Sequence, residues 1–411
     1  MRLAAVALLI GCAGGETVPS GGVPTGDSSV LVDSALVDSG TLVVDVMDSA
    51  TDTSIDPDAA CAKATAEAKT EILPVDIIWV VDNSSSMEPA VVELKAGLNA
   101  FATLIAAKKL DYKVIMLALR SKTSPITVSG SIRYPVCIPP PLAGDANCGN
   151  GPRFFHAAVD IKSTQPLEQF LGTLDQTEGY RAGQERGAEV WKPELRATAS
   201  RTIVVVTDDN SRFSATDFET FAGGKNPFNS LILPPGILDP SRAGLFKDYL
   251  FAGLYGWGSA TDPSVKCTFG DGTQPPSAGG TYTTLVKKTG GPRAKLCDGK
   301  AAWTTFFEAI ATAVAKTAKL SCEMELPLPA VGTLDPSAVN VRITSAAGST
   351  LIPKVANAAA CGPDLGWYYD NDAAPTKVIL CRAACDAANA AVGVDKPGKI
   401  DVLFGCKTVI K

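Results

Sequence analysis

A chain of 411 residues, 46% of them hydrophobic, is long enough to bury one large core and a second, smaller one. Its net charge of -6 and pI near 5.1 leave no broad basic surface, which excludes the electrostatic capture that nucleic-acid binding requires. Nucleic acid is therefore not an expected partner.

The first twelve residues predict export. Met1-Arg2 is a short basic start, Leu3 to Ile10 are apolar, and Leu9-Ile10-Gly11-Cys12 resembles a lipobox, the processing site of bacterial lipoproteins. The resemblance implies a signal peptide over residues 1–12 and a lipid anchor on Cys12 as the only membrane contact. It places the protein in the cell envelope, periplasmic or surface-exposed, and Ala13 after the cysteine points to the outer membrane. A chance cysteine behind an ordinary signal peptide is the alternative.

Residues 13–60 are predicted to form a flexible acidic linker. They are rich in Gly, Ser, Thr, Val and Asp, and contain no Lys or Arg. Such a segment repels itself and buries little apolar surface. We expect it to hold the folded part of the chain away from a membrane.

Eleven cysteines accompany a single histidine, His156, so clustered zinc sites are disfavoured and disulfide bonds are expected. With Cys12 set aside, the other ten can pair completely in an oxidising compartment, although their spacing gives no connectivity. The candidates are Cys61, Cys137, Cys148, Cys267, Cys297, Cys322, Cys361, Cys381, Cys385 and Cys406.

Residues 61–326 are predicted to alternate strands with helices. The predicted strands are 75–81, 112–119, 153–161, 202–206, 249–257 and 320–326, and the predicted helices are 89–109, 165–174, 185–199, 281–288 and 303–316. This alternation implies right-handed crossovers. The expected fold class is α/β, a doubly wound, mostly parallel sheet with helices on both faces.

Residues 327–411 have a different character. Short β-rich runs at 339–343, 377–380 and 400–404 are interspersed with four of the cysteines. The sequence predicts a small, Cys-rich, antiparallel β module at the C-terminus.

Acidic residues follow two of the strands that are predicted to be buried on both faces. Asp82-Asn83-Ser84-Ser85-Ser86 has the form D-x-S-x-S directly after strand 75–81, and Thr207-Asp208 follows strand 202–206. Ligands of open α/β sheets bind outside the carboxyl ends of the strands. Carboxylates and hydroxyls suit a hard dication, Mg²⁺ first and Mn²⁺ or Ca²⁺ next, and such a cation can recruit a carboxylate of a protein partner. For either aspartate alone, capping of the following helix is the simpler explanation.

The pattern of Asp82, Ser84, Ser86 and Asp208 resembles the metal-ion-dependent adhesion site of von Willebrand factor A (VWA) and integrin inserted domains. The resemblance covers about residues 72–325 and includes the helix and Thr-Gly-Gly stretch at 282–291. It implies direct coordination by Ser84 and Ser86, and binding by Asp82 and Asp208 directly or through water. It also implies adhesion instead of catalysis.

One position departs from the family pattern. The family places a threonine in a glycine-containing loop before the second acidic strand, whereas this region reads Gly183-Gln184-Glu185-Arg186-Gly187. By the resemblance, Gln184 is the expected ligand, with Glu185 or Thr177 as alternatives. Glu185 in that role would add negative charge and weaken the recruitment of an anionic partner.

Three functions remain open at this stage. The first is an exported, lipid-anchored protein that binds a protein, or a glycan, through a divalent cation. The second is a structural or assembly scaffold with an inert metal site, whose C-terminal module makes the contacts. The third is a hydrolase, which would have to be built around His156, since the chain has no G-x-S-x-G or H-E-x-x-H motif.

Overall fold

The computed structural model describes residues 64–184, 186–326, 334–394, 396–405 and 407–411. All of them belong to one compact unit, Ile55–Lys411. The predictions made for the signal peptide, the lipid on Cys12, the linker, Cys61, Glu185 and Cys406 lie outside the described residues.

The described residues form helices and strands in alternation over most of the chain. The helices are α1 Glu88–Ala107, α2 Pro166–Leu174, α3 Ala215–Thr220, α4 Gly280–Thr289, α5 Lys300–Thr317 and α6 Arg382–Ala391. The strands are β1 Ala64–Glu67, β2 Val75–Val81, β3 Tyr112–Ala118, β4 Ile126–Val128, β5 Ser131–Arg133, β6 Phe154–Ala158, β7 Ser200–Val206, β8 Gly224–Lys225, β9 Ile232–Leu233, β10 Leu250–Tyr255, β11 Arg293–Lys295, β12 Glu323–Glu325, β13 Val339–Ser345, β14 Gly348–Ile352, β15 Trp367–Tyr369, β16 Lys377–Leu380, β17 Val392–Gly393, β18 Lys396–Pro397 and β19 Lys399–Phe404.

A six-stranded sheet in the order β11-β10-β7-β2-β3-β6 forms the centre of the α/β part. Every neighbouring pair in it is parallel. The chain leaves β2 toward β3 on one side and returns to β7 on the other, so the strand order reverses at β2. The predicted parallel α/β sheet is confirmed, and its reversal point is where ligands of open sheets bind.

Side chains of β2 alternate between two hydrophobic cores. Ile77, Trp79 and Val81 face the core that contains α1 and α5, whereas Ile78 and Val80 face the core of α2, α3 and α4. Because both faces of the strand are buried, the strand is apolar except for Asp76, which forms ion pairs with Arg196 and Arg201. The helices therefore cover both faces of the sheet, as a doubly wound fold requires.

Helix α1 is part of the core. The span Ser85–Ala107 is long and apolar enough to cross a membrane by length and composition alone. Its apolar side is nevertheless packed inside the protein, with the Phe101 ring 5.5 Å from the Trp79 ring and 5.4 Å from the Phe307 ring of α5. These contacts are typical of a core helix.

The C-terminal part is built from antiparallel sheets and α6 around a third core. One sheet has the order β1-β19-β13-β14 and another has the order β12-β16-β15. Two strands that precede the predicted division at residue 326 thus pair with strands beyond it, β1 with β19 and β12 with β16. The predicted strand 320–326 belongs to this module and not to the parallel sheet.

Further differences concern the α/β part, which also contains the unpredicted helix α3 and the unpredicted strand pairs β4-β5 and β8-β9. The predicted helix 185–199 is wrong, because described residues 186–199 contain only a short 3-10 turn, Lys192–Glu194. Gly187 and Pro193 interrupt the segment, and Pro193 provides no backbone N–H for a helix to use. The edge strand β11 was not predicted, since three residues of mixed polarity carry no periodic signal.

Four disulfide bonds join the eight cysteines within the described residues. They are Cys137–Cys148, Cys267–Cys297, Cys322–Cys385 and Cys361–Cys381. The first two lie in the α/β part and the other two lie between residues 322 and 385. Disulfides of this number are typical of an oxidising compartment.

We expect the loss of Cys322–Cys385 to destabilise the protein more than the loss of Cys137–Cys148. The two bonds close chain separations of 63 and 11 residues. Loop-closure entropy assigns them about 4 and about 3 kcal/mol respectively. Urea unfolding of the two double Cys→Ala variants measures the difference, and a larger loss for the Cys137/Cys148 variant would contradict the expectation.

Candidate metal centre

The acidic residues of the D-x-S-x-S motif and of the Thr207-Asp208 pair meet at the carboxyl ends of β2 and β7. Val81 pairs with Val206 in the parallel ladder, and the Asp82 backbone N–H donates to the Val206 carbonyl oxygen at 3.0 Å. The two strands therefore end side by side. The structure brings Asp82 and Asp208 together at the reversal point of the sheet, the position expected from the strand order.

Asp82 is fully buried and held by three hydrogen bonds. Its Oδ1 accepts from the backbone N–H groups of Ser84 at 2.8 Å and Ser163 at 3.0 Å, and its Oδ2 accepts from the Thr207 hydroxyl at 2.9 Å. Burial raises the pKa of the Asp82 carboxyl to about 6, against the hydrogen bonds from Ser84 and with a contribution from the Asp208 charge. A nearby cation would stabilise the ionised form of a carboxyl in this setting.

The two motif serines bring their hydroxyls together. Ser84 Oγ lies 3.4 Å from Ser86 Oγ, and Ser86 is exposed to solvent while Ser84 is buried. Ser84 precedes the 3-10 turn Ser85–Met87, yet its side chain makes no capping hydrogen bond. The Ser84 hydroxyl thus does not cap the turn that leads into α1, and Ser86 lies at the surface.

Asp208 contains a buried oxygen without a partner. The residue is 4% exposed, and its Oδ1 has no hydrogen-bond partner among the described residues. Burial raises the pKa of Asp208, and hydrogen bonding from Ser86 opposes the shift. Asp208 does not cap the next helix, because Ser214 accepts from the Asp217 N–H at the start of α3. An unpaired buried carboxylate oxygen is costly unless a cation or proton satisfies it.

These donors fit a hard divalent cation. Asp82 and Asp208 supply carboxylate oxygens and Ser84 and Ser86 supply hydroxyl oxygens, the ligand type that Mg²⁺, Mn²⁺ and Ca²⁺ prefer. No cluster of three or more His, Cys, Asp or Glu side chains suited to a metal occurs within the described ranges. The set therefore differs from a zinc site, since half of its donors are uncharged hydroxyls.

Gln184, the expected ligand of the third loop, is engaged elsewhere. Its Oε1 accepts from the Gly179 N–H at 2.8 Å and the Arg181 N–H at 3.2 Å, and its Nε2 donates to Glu178. Both lone pairs of the amide oxygen are therefore in use within its own loop. The alternative Thr177 donates its hydroxyl to the Gly172 carbonyl oxygen at 3.2 Å. The amide oxygen of Gln184 is therefore occupied in this conformation, whereas the hydroxyl oxygen of Thr177 keeps its lone pairs while it donates.

A third segment of the chain, besides the residues after β2 and β7, contributes to the site. Residues 161–164 follow β6, and the Ile161 carbonyl oxygen accepts from the Asn83 N–H at 2.9 Å while the Ser163 N–H reaches Asp82. Sequence reasoning missed this loop, although Ser163-Thr164 comes one residue after the predicted strand 153–161. Because this loop also follows the carboxyl end of a strand in the parallel sheet, it is expected at the same edge of the sheet as Asp82 and Asp208.

His156 lies inside the protein, closed off from solvent. It is fully buried in β6, and its Nε2 is 3.1 Å from the Ala118 carbonyl oxygen. Burial lowers the pKa of His156 to about 3, and the Arg120 charge adds to this shift. A solvent-excluded neutral imidazole beside a backbone carbonyl is a poor general base, so the geometry disfavours the hydrolase alternative.

Acidification is expected to destabilise the protein through His156. Between about pH 6.5 and 3 the unfolded chain takes up a proton at this residue and the folded chain does not, so stability falls as the pH falls through this window. The loss is about 1.4 kcal/mol per pH unit. Between pH 6.5 and 4.5 a His156→Gln variant should lose about 2–3 kcal/mol less stability than the unsubstituted protein in urea unfolding. Equal losses in the two proteins would contradict this.

Comparison with known proteins found distant likenesses among solved structures. No protein-family model and no curated protein matches the chain. Among solved structures, the pilus adhesin SpaC from Lactobacillus rhamnosus GG in its open conformation is similar at 13% identity and a TM-score of 0.29, covering 82% of this chain and 40% of that one. The pilus adhesin RrgA from Streptococcus pneumoniae is similar at 10% identity and a TM-score of 0.22, covering 84% and 58%.

This chain thus spans about two fifths to three fifths of the length of these adhesins. Superpositions at such TM-scores are too loose to transfer a fold or a function. Both therefore rest on the residues of this chain.

Proposed function

We propose that this chain is an exported binding protein of the VWA type, which attaches to a protein or glycan partner through a divalent cation at the ends of β2 and β7. One observation carries the proposal. The buried Asp208 Oδ1 has no hydrogen-bond partner within the described residues and belongs to the same site as Asp82 and the paired hydroxyls of Ser84 and Ser86. Such an arrangement stays costly until a cation is bound.

The residues of the site would bind the cation in different ways. Ser84, Ser86 and Asp208 would hold the cation, most suitably Mg²⁺, with Mn²⁺ or Ca²⁺ as substitutes. Asp82, positioned by Ser84, Ser163 and Thr207, would bind it directly or through water. Because the hydroxyl donors bring no charge, a bound cation retains affinity for a further carboxylate, which the partner supplies. Ser86, the exposed member, lies on the side where that carboxylate would arrive.

The cellular setting is consistent with a binding role outside the cytosol. Four disulfide bonds support an oxidising compartment. The lipobox-like sequence at Cys12 is the basis for proposing a lipid anchor in the outer membrane, behind the acidic segment 13–60. Mass spectrometry of the membrane fraction would detect the diacylglyceryl mass on Cys12.

Titration calorimetry at pH 7.5 with MgCl₂, MnCl₂ and CaCl₂ tests the cation site. We expect one binding event per chain, abolished in Asp82→Ala and weakened about tenfold in Ser86→Ala, since the hydroxyl is one of several ligands. The matched control is Asp262→Ala, an exposed aspartate of a surface loop that should leave the affinity unchanged. Absence of binding for all three cations, or unaltered binding in Asp82→Ala, would refute the proposal.

A further inference from the structure

A cavity of about 310 Å³ lies between the N-terminal ends of α1 and α5. Its walls are mainly apolar and include Ala90 and Val92 from α1, Trp303 from α5, and Phe269 and Leu296 from the loops beside them. The volume is near the lower end of the ~300–1,000 Å³ range of ligand pockets. A space of this size and lining suits one large apolar side chain.

The cavity is open to solvent although it is apolar. Val92 is 54% exposed, unlike the buried residues on the opposite side of α1. Two charged residues, Glu93 and Lys300, also line it, and their opposite signs leave no net charge to attract an ion. The cavity therefore favours an apolar group over a charged one, and exposed apolar surface of this kind marks binding sites.

The cavity is held in shape by a disulfide bond. Cys267 is joined to Cys297, and these residues precede Phe269 and follow Leu296 in the chain. The bond thus ties together the two loop segments that contribute aromatic and aliphatic walls. A wall fixed in the free protein reduces the ordering cost of binding.

Ser86 belongs both to this cavity and to the candidate cation site. It is one of the cavity-lining residues, and its hydroxyl lies 3.4 Å from that of Ser84. A group bound at the cation site and a group in the cavity would therefore lie on two sides of the same residue. A single short segment of a partner can reach both.

We propose that the cavity receives a large apolar side chain from the same partner segment whose carboxylate binds at the cation site. The recognised element is then an acidic residue with a Phe-, Leu- or Met-like side chain close to it. This inference rests on the proposed function, because it places the apolar side chain next to a carboxylate that binds the proposed cation. The apolar group supplies the selectivity that a carboxylate, common to most protein surfaces, cannot supply.

The test uses a series of ω-phenylalkanoates, from phenylacetate to 5-phenylpentanoate, with acetate as the reference. Ligand-observed NMR measures their affinities for the full chain in MgCl₂ and in EDTA. We expect at least one phenylalkanoate to bind at least tenfold more tightly than acetate in MgCl₂, and the gain to disappear in EDTA. Val92→Ser should reduce the gain about threefold or more, whereas Val265→Ser should not, because Val265 is an exposed valine outside the cavity, 42% exposed against 54% for Val92.

The possible outcomes distinguish failure of the cavity proposal from failure of the proposed function. Cation binding without any gain for the phenylalkanoates would overturn the cavity proposal and leave the cation site intact. Failure of all three cations to bind would overturn the proposed function, and the cavity proposal with it. Phenylalkanoate binding that is equal in EDTA, or equally affected by Val92→Ser and Val265→Ser, would separate the cavity from the cation site and also overturn the proposal.

Discussion

Asp208→Asn is expected to stabilise the cation-free protein and at the same time to remove its response to Mg²⁺. Burial raises the pKa of Asp208, which means that its ionised form is disfavoured in the folded chain. Asparagine has the same shape without the charge, so at pH 7.5 the variant escapes this penalty. It also loses the carboxylate that would bind the cation. Urea unfolding in EDTA and in MgCl₂ measures both effects.

The size of the response follows from binding linkage. A cation at one hundred times its dissociation constant stabilises the unsubstituted protein by about 2.7 kcal/mol. The exposed Asp262→Asn variant should keep this response, because the Asp262 carboxylate accepts hydrogen bonds from Ser264 within its own loop. The combination of a stable cation-free state and no response distinguishes a ligand from a structural aspartate. A variant that is less stable in EDTA, or that still responds to Mg²⁺, would contradict the assignment of Asp208.

Glu168→Gln is expected to lower the free energy of unfolding by about 3–5 kcal/mol, the cost of breaking a buried ion pair. Glu168 is fully buried in α2. Its Oε1 accepts from the Tyr180 hydroxyl at 2.6 Å, Asn226 Nδ2 at 2.8 Å and Asn229 Nδ2 at 2.9 Å, and its Oε2 accepts from Arg212 Nε at 2.7 Å. The substitution removes the charge that pairs with Arg212. It also places an amide group among donors that need an acceptor.

Glu178→Gln is the matched control, because Glu178 is exposed and its ion pair with Arg181 is on the surface. It should change stability by less than about 0.5 kcal/mol. The Glu168 variant should also bind cations more weakly. Arg212 follows the Asp208 loop, and its backbone N–H donates to Thr164 beside the site at 3.1 Å. A loss below 1 kcal/mol would show that the hydrogen bonds around Glu168 rearrange freely.

The parallel sheet could be predicted because its central strands are buried on both faces. Residues 75–81 and 202–206 are rich in β-branched side chains and have no polar alternation, and the observed strands Val75–Val81 and Ser200–Val206 agree within two residues. Predicting which sheet a strand joins is harder. Strand β12, which lies within the predicted strand 320–326, and the short strand β1 pair with strands of the C-terminal sheets, and partner choice depends on contacts far away in the sequence.

The candidate site could be predicted in part for a related reason. Asp82 and Asp208 follow the carboxyl ends of the neighbouring parallel strands β2 and β7, so their proximity follows from topology alone. The Ser163 N–H that holds Asp82 is a backbone group, and any residue type at that position supplies one. Gln184 was expected from the spacing of a family pattern, whereas its amide oxygen is occupied by bonds to Gly179 and Arg181. Such local competition for an acceptor has no signature in sequence.

The pairing of β1 with β19 has a mechanical consequence. A pull transmitted along the chain from residues before Ala64 enters the described fold at β1, whose four residues are registered from Ala64 against Phe404 to Glu67 against Asp401. Between this ladder and β2 the chain is also held by backbone hydrogen bonds of Ala68, Glu71 and Leu73, so the tension reaches β2 and Asp82 only after the ladder and these bonds have yielded. Under such a load the edge strand β1 is expected to detach first, while the parallel sheet stays intact.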